Sequence, residues 1–310
     1  MRVLVTGGTG FVGRSVVAAL RREGCEVRIL LRPGARSGTR HRLSSEGVEV
    51  FCGDVLHPAT LLPAMAGVDA VVHLVGIISE GGGATFERLH VDATRCVLES
   101  ARRCGVRKYV HMSALGTREN AVARYHRTKW EAEELVRSSG LGGIIFRPSL
   151  IFGPEDHFVN LFASIARRSP FVPMMGPGAN LMQPVDVAMV ATCFARAALG
   201  QGGGGRTYDL CGMERLEFRE VLAAILAAMG CRGRRIISIP WRMAGFMARC
   251  SELLFAGLLR CPPPLNRDQL LMLREDNVGN PEEADRVFQV RPRLFREGIR
   301  EWLRPGADSR

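Results

Sequence analysis

Tyr125 and Lys129 stand four residues apart in Tyr125-His126-Arg127-Thr128-Lys129, a spacing that sets both on one face of a helix. A phenol beside an ammonium can exchange a proton with a carbonyl compound, because the neighbouring positive charge stabilises the phenolate and lowers its pKa. The same ammonium can hold a ribose hydroxyl. Apart from Lys108 and Lys129, all 42 basic residues are arginine. The compact point charge at 129 therefore stands out against a background of guanidinium groups. Among three tyrosines and two lysines in the whole chain, chance seldom produces this spacing.

A second cluster lies at the start of the chain. Thr6-Gly7-Gly8-Thr9-Gly10-Phe11-Val12-Gly13 carries glycines at 7, 10 and 13, between an apolar run and a helical pattern. In such a turn Gly7 permits the tight bend and Gly10 lets the backbone approach a pyrophosphate held by amides and the positive helix end. Gly13 lets the helix pack close to the sheet. A dinucleotide fits this chemistry, with Gly7, Thr9, Gly10, Phe11, Val12 and Gly13 expected to bind it. An NAD-specific site usually sets an acidic residue after the second strand, yet no Asp or Glu lies between Glu26 and Glu46. Arg32, helped by Arg36, Arg40 or Arg42, can instead pair with a 2′-phosphate. The sequence therefore favours NADP over NAD.

To position these groups the chain must alternate strands and helices. Arg2–Thr6, Glu26–Leu31, 48–51, 69–75, Lys108–Met112 and 143–147 read as strands, and Phe11–Arg22, 59–66, 84–104 and 121–138 as helices. Near-continuous apolar runs such as Ala70-Val71-Val72 suit a parallel sheet buried on both faces. The expected fold is α/β, a Rossmann-type doubly wound parallel sheet with a smaller C-terminal, substrate-side lobe. The NAD(P)-binding domain is expected at 1–150, with 185–212 returning to it through a helix at 185–199 and a strand at 206–210. Residues 151–184 and 213–310 form the expected lobe, where Pro170, Pro173, Pro177 and Pro184 break the rhythm. Asp186 reads as a helix N-terminal residue with its carboxylate near backbone amides.

The 310 residues, 46% hydrophobic and 24% charged, describe a globular protein and exclude disorder. No signal peptide is expected before the first strand, and no run of about 18 apolar residues marks a spanning helix. Nine scattered cysteines without a CxxC pair read as reduced thiols in a cytoplasmic protein, with Cys96 and Cys104 as packing residues. No Cys or His cluster has metal-ligand spacing; His73, His90, His111 and His126 read as structural. The net charge of +11 comes from dispersed arginines without interleaved aromatics, so nucleic acid is not an expected partner.

Together the 6–13 turn, Asp54-Val55 after the third strand, His73-Leu74-Val75-Gly76 ending the fourth, and the Tyr125/Lys129 pair resemble the extended short-chain dehydrogenases/reductases. Arg147-Pro148-Ser149-Leu150-Ile151-Phe152-Gly153-Pro154 is similar to that family's segment after the sixth strand. The likeness covers residues up to about 200. It implies that Asp54 and Val55 contact the adenine and that Leu74, Val75 and Gly76 line the cofactor. Pro148, Ser149, Leu150 and Ile151 would flank the nicotinamide, and Tyr125 and Lys129 would be catalytic. More narrowly, 147–163 and 263–278 resemble the atypical subgroup that contains the NADPH-binding accessory subunit of respiratory complex I. Bacterial proteins labelled nucleotide-sugar epimerases belong to the same subgroup.

Two departures from the pattern matter. Active members use a Ser or Thr hydroxyl to polarise the substrate carbonyl, and that position falls on Ala114 when the chain is aligned on Val106-Arg107-Lys108. Ser113, one residue earlier, points to the opposite face of a regular strand. A bend would restore it as a catalytic hydroxyl; otherwise it is structural, and loss of such a donor costs about 10²–10³ in rate. The short stretch from Ser113 to Tyr125 also argues against a sugar-nucleotide substrate. Separately, residues 241–259 read as an apolar helix with Arg242, Arg249 and Arg260 nearly in line. That pattern suits either a membrane interface, on the inner face of a membrane, or a lobe helix packed on its own protein. Two functions stay open: an NADP-dependent oxidoreductase or epimerase acting on a carbonyl compound or nucleotide sugar, and a non-catalytic NADP(H)-holding protein of a membrane respiratory complex.

Overall fold

The computed structural model describes residues 1–303 apart from Arg36, Ser37, Arg232 and Arg260. Strands β1 (Arg2–Thr6), β2 (Glu26–Leu31), β3 (Glu49–Cys52), β4 (Ala70–His73), β5 (Lys108–Met112) and β6 (Ile144–Pro148) join Thr207–Leu210 in one sheet. The order is Thr207–Leu210, β6, β5, β4, β1, β2, β3, and every neighbouring pair is parallel. The chain runs outward from β1 to β3 and then returns to lay β4 on the other flank of β1. That reversal opens a crevice at the carboxyl ends of β1 and β4, where α/β proteins bind ligands.

Alternation along each strand divides the sheet's core into two layers. Val3, Val5, Val27, Ile29, Val72 and Phe146 pack with α1 (Phe11–Arg22) and the helix Val187–Leu199. A short helix, α2 (Thr39–Ser45), adds Leu43 to this layer, and a second layer covers the other face of the sheet. Leu4, Leu30, Val71, Tyr109 and Ile145 pack there with α3 (Pro58–Met65), α4 (Ala93–Arg103) and α5 (Arg124–Ser138). Residues 84–104, expected as one helix, begin with a π-helical stretch, Glu87–Asp92, before α4. Such widened turns often occur at functional sites, and this one carries the buried His90.

The Asp186 carboxylate accepts the Ala188 N–H at 2.6 Å and so opens the helix Val187–Leu199, as its sequence position implied. A separate core of Phe152, Val159, Val172, Phe218, Leu222, Ile225, Phe295 and Ile299 gathers the helices His157–Arg168, Phe218–Ala228 and Phe295–Arg300. Beside them lie two short strand pairs, Phe171–Met175 with Arg235–Ile239 and Leu181–Met182 with Leu216–Glu217. The helix Trp241–Ser251 continues as a π-helical turn, Glu252–Leu258. Glu282–Phe288 crosses back, and Phe288 packs on Phe146 and Tyr208 of the sheet. No helix among the described residues is long and apolar enough to cross a membrane.

Candidate functional site

The turn after β1 is built so tightly that two of its glycines have no substitute. Gly7 adopts φ +77° against the backbone of Leu74 and Val75. A Cβ on Gly13 would lie 2.1 Å from the Gly7 carbonyl oxygen. Gly10 differs: it is exposed, and its Cβ would meet only that same oxygen, at 3.3 Å. Packing alone does not demand glycine there. What Gly10 keeps open is the space over the start of α1, which has no side-chain cap and no acidic residue in its first turn. Bare amides and the positive helix end at that point fit a diphosphate. Thr9, Phe11 and Val12 surround the same point; the Thr9 carbonyl accepts from Arg14 at 3.1 Å.

Arg32 follows β2 and is exposed, while Arg40 donates to the Val50 carbonyl at 3.5 Å. Arg36 and the side chain of Arg42 lie outside the described residues. After β3, the Asp54 carboxylate accepts the Leu56 N–H at 2.9 Å. Val55 is buried in the core layer beneath.

On the other side of the crevice, α5 brings Tyr125 and Lys129 inward, and both are buried. The Lys129 ammonium donates to the Met112 carbonyl at 3.0 Å, at the end of β5, and lies 3.0 Å from where a Cβ on Gly76 would stand. Burial lowers its pKa to about 8, against the opposing pull of Glu133. The Tyr125 ring sits edge-on to His90, with centroids 5.3 Å apart, and to Phe86, at 5.9 Å. Burial pushes its phenol up to about 12. This corrects the expectation that Lys129 holds the phenol below its usual value. The ammonium is aimed at a backbone carbonyl, and desolvation of the ring decides the direction.

Two residues that matter here escaped the sequence reading, Asp268 and Glu133. The Asp268 carboxylate accepts the backbone N–H groups of Arg124 at 2.7 Å and Tyr125 at 2.8 Å, so a residue 143 positions away caps the start of α5. His90 places Nδ1 2.8 Å from the Thr128 hydroxyl and accepts the Ile77 N–H at 3.2 Å through Nε2. Burial takes its pKa to about 2 and that of His73 to about 3, and holds His111 well below its usual value. Burial thus favours the neutral form of all three rings at ordinary pH. His73 shares a 2.7 Å hydrogen bond with Thr6 and stacks on His111, both of whose ring nitrogens are buried without a partner among the described residues.

Ser113 donates to the Glu133 carboxylate at 2.6 Å. Glu133 is fully buried and also takes two hydrogen bonds from Arg147, at 2.8 and 2.6 Å. The Ser113 hydroxyl is thus engaged in an internal ionic cluster, and Ala114 follows it. Pro148 ends β6, and its carbonyl accepts the Leu115 N–H at 2.9 Å. The Ser149 hydroxyl donates to the Asn277 side chain at 2.5 Å, while Leu150 and Ile151 are half-buried beyond it. Turn, Leu74 to Gly76, Lys129 and Tyr125 therefore converge on the carboxyl ends of β1, β4 and β5. Arg32 and Asp54 lie beyond β2 and β3. No cluster of three or more potential metal ligands occurs among the described residues.

A family model described as NAD(P)H-binding matches residues 7–158. A 2-alkyl-3-oxoalkanoate reductase of Stenotrophomonas maltophilia is 30% identical, over 97% of this chain and 98% of that protein. The chain belongs to the NAD(P)H-binding, atypical short-chain dehydrogenase/reductase family. A ceramide reductase of Caulobacter vibrioides is 33% identical over 64% of this chain and 59% of its own length. The mitochondrial NADH dehydrogenase [ubiquinone] 1 alpha subcomplex subunit 9 of Arabidopsis thaliana is 29% identical over 88% and 70%. Among solved structures, a dTDP-glucose 4,6-dehydratase of Streptomyces venezuelae superposes with a TM-score of 0.75 at 21% identity, over 98% of this chain and 96% of that one. At that identity the likeness is one of fold.

Proposed function

We propose that this member of the family is an NADPH-dependent reductase of a ketone carried on a molecule with a long apolar chain. One observation carries the reading: Tyr125 and Lys129 lie buried one helical turn apart, with the ammonium beside Gly76 at the crevice. Bound NADPH would supply the hydride. Tyr125, with its pKa near 12, keeps its proton at neutral pH and would give it to the carbonyl oxygen as the hydride adds to the carbonyl carbon. Lys129, near 8, stays largely charged at neutral pH and would hold the ribose. Arg32 and the absence of a carboxylate after β2 support NADPH over NADH. The apolar chain on the substrate is taken from the names of the alkyl-oxoalkanoate and ceramide reductases.

With Ala114 where a hydroxyl donor is expected, and Ser113 held by Glu133, turnover is slow. The same two facts, with the likeness to a respiratory-complex subunit, favour a second reading, a protein that holds NADP(H) without turning over. The test is NADPH oxidation with a panel of long-chain 3-oxoacids and ketones. Tyr125→Phe should lower the rate by about 10²–10⁴ and leave NADPH fluorescence on the protein unchanged. A wild-type protein that binds NADPH yet oxidises it with no ketone supports the second reading. Equal rates for wild type and Tyr125→Phe end the assignment of Tyr125.

A further inference from the structure

The helix Trp241–Ser251 is packed the wrong way round for a helix of a soluble lobe. Its buried positions are two alanines, Ala244 and Ala248, set against Leu270 with Met175, Ile239 and Leu265 at the edge. Its large apolar side chains face outward. Met243, Phe246 and Met247 are exposed, and the π-helical turn that follows adds Leu253, Leu254 and Leu258, with Leu259 just beyond. Phe246 is 68% exposed, and Leu253 and Leu258 are 75%. Single exposed apolar residues are ordinary, but a continuous stripe of them marks an interaction surface.

At 100° per residue, Met243, Phe246, Met247, Cys250 and Leu254 form the stripe, and Arg242 and Arg249 run along one border of it. Both arginines are exposed, and neither makes an ion pair among the described residues. The one carboxylate in 241–259, Glu252, is already bound by the Arg267 backbone N–H and guanidinium, each at 2.7 Å. The surface thus offers apolar bulk and uncompensated positive charge. A second copy of the same face would set arginine against arginine with no acid between them. We infer that Met243–Leu259 is a docking element that lies flat in the interface of a bilayer carrying anionic headgroups, its apolar stripe among the acyl chains and Arg242 and Arg249 at the phosphates.

The segment leaving this element leads straight to the crevice. Pro262 closes on Gly81, the Pro263 carbonyl accepts from Ser79 at 3.2 Å, and Asp268 caps α5 at Tyr125. The docked face is therefore joined to the rim beside Tyr125, though the inference stands whether or not the protein turns over.

The test is co-sedimentation of the full chain with vesicles of phosphatidylcholine, with and without phosphatidylglycerol. Wild type should bind the anionic vesicles and lose binding as salt is raised. The Phe246→Ser/Leu254→Ser pair should weaken binding about tenfold or more, and Arg242→Glu/Arg249→Glu should remove the preference for phosphatidylglycerol. NADPH fluorescence identifies variants that remain folded. The inference fails if wild type binds neither vesicle, or if folded variants of both kinds bind as wild type does. It also fails if sedimentation velocity finds a dimer that the serine pair splits into monomers.

Discussion

At residue 114 the molecule has a methyl group where the proposed ketone reduction calls for a donor, and restoring one is a direct experiment. Ala114→Ser should raise the ketone-dependent rate of NADPH oxidation by up to about 10²-fold, the size of effect seen when such donors are lost. Ser113→Ala should act on stability instead, because it strips a partner from the buried Glu133. A shift of the urea midpoint with little change in rate would show that division. The protein should bind NADPH less tightly as pH rises past about 8, where Lys129 loses its charge; titrations of Lys129→Met should lack that decline. That Tyr125 and Lys129 share the buried face of α5 was legible from spacing alone. The direction of the phenol's shift was not, because nothing in a four-residue interval says how much water reaches the ring.

Elements decide whether these groups meet. Gly13→Ala would drive a methyl group into the Gly7 carbonyl oxygen. It should cost about 1–3 kcal/mol in overpacking and abolish NADPH fluorescence, both measurable on the purified variant. Asp268→Ala would leave the first amides of α5 without their acceptor, a loss of about 1–2 kcal/mol by analogy with helix caps; the kinetic readout is a lower rate with NADPH binding retained. The six strands from β1 to β6 and the helices between them other than α2 were legible because a buried parallel sheet writes short apolar runs separated by amphipathic stretches. The π-helical stretch at Glu87–Asp92 was not, since widening a turn changes backbone bonds without changing the residue pattern. Asp268 was invisible for a different reason. A cap delivered across 143 residues leaves no local trace.

For the whole molecule, the neutral buried histidines set a limit on acid tolerance. His73 and His90, taken to about 3 and about 2, and His111, also lowered, stay unprotonated in the folded state while the unfolded chain takes up protons below about 6.5. Stability is therefore full above that value and falls as pH drops toward the folded pKa values, by up to about 1.4 kcal/mol per histidine per pH unit. Melting temperatures at pH 7 and pH 5 should differ, and His73→Asn/His111→Leu should recover part of the difference. A helix that hides its alanines and shows its methionines and phenylalanine was half legible. Sequence periodicity located the stripe at 241–259 but could not say which side faced the protein.

The carboxylate of Asp268 has one more implication, for anyone cutting the gene. A fragment ending near residue 212 would retain every strand of the main sheet, the glycine turn and both members of the Tyr125/Lys129 pair. It would still begin α5 on two naked amides, because their acceptor was left behind with the discarded tail.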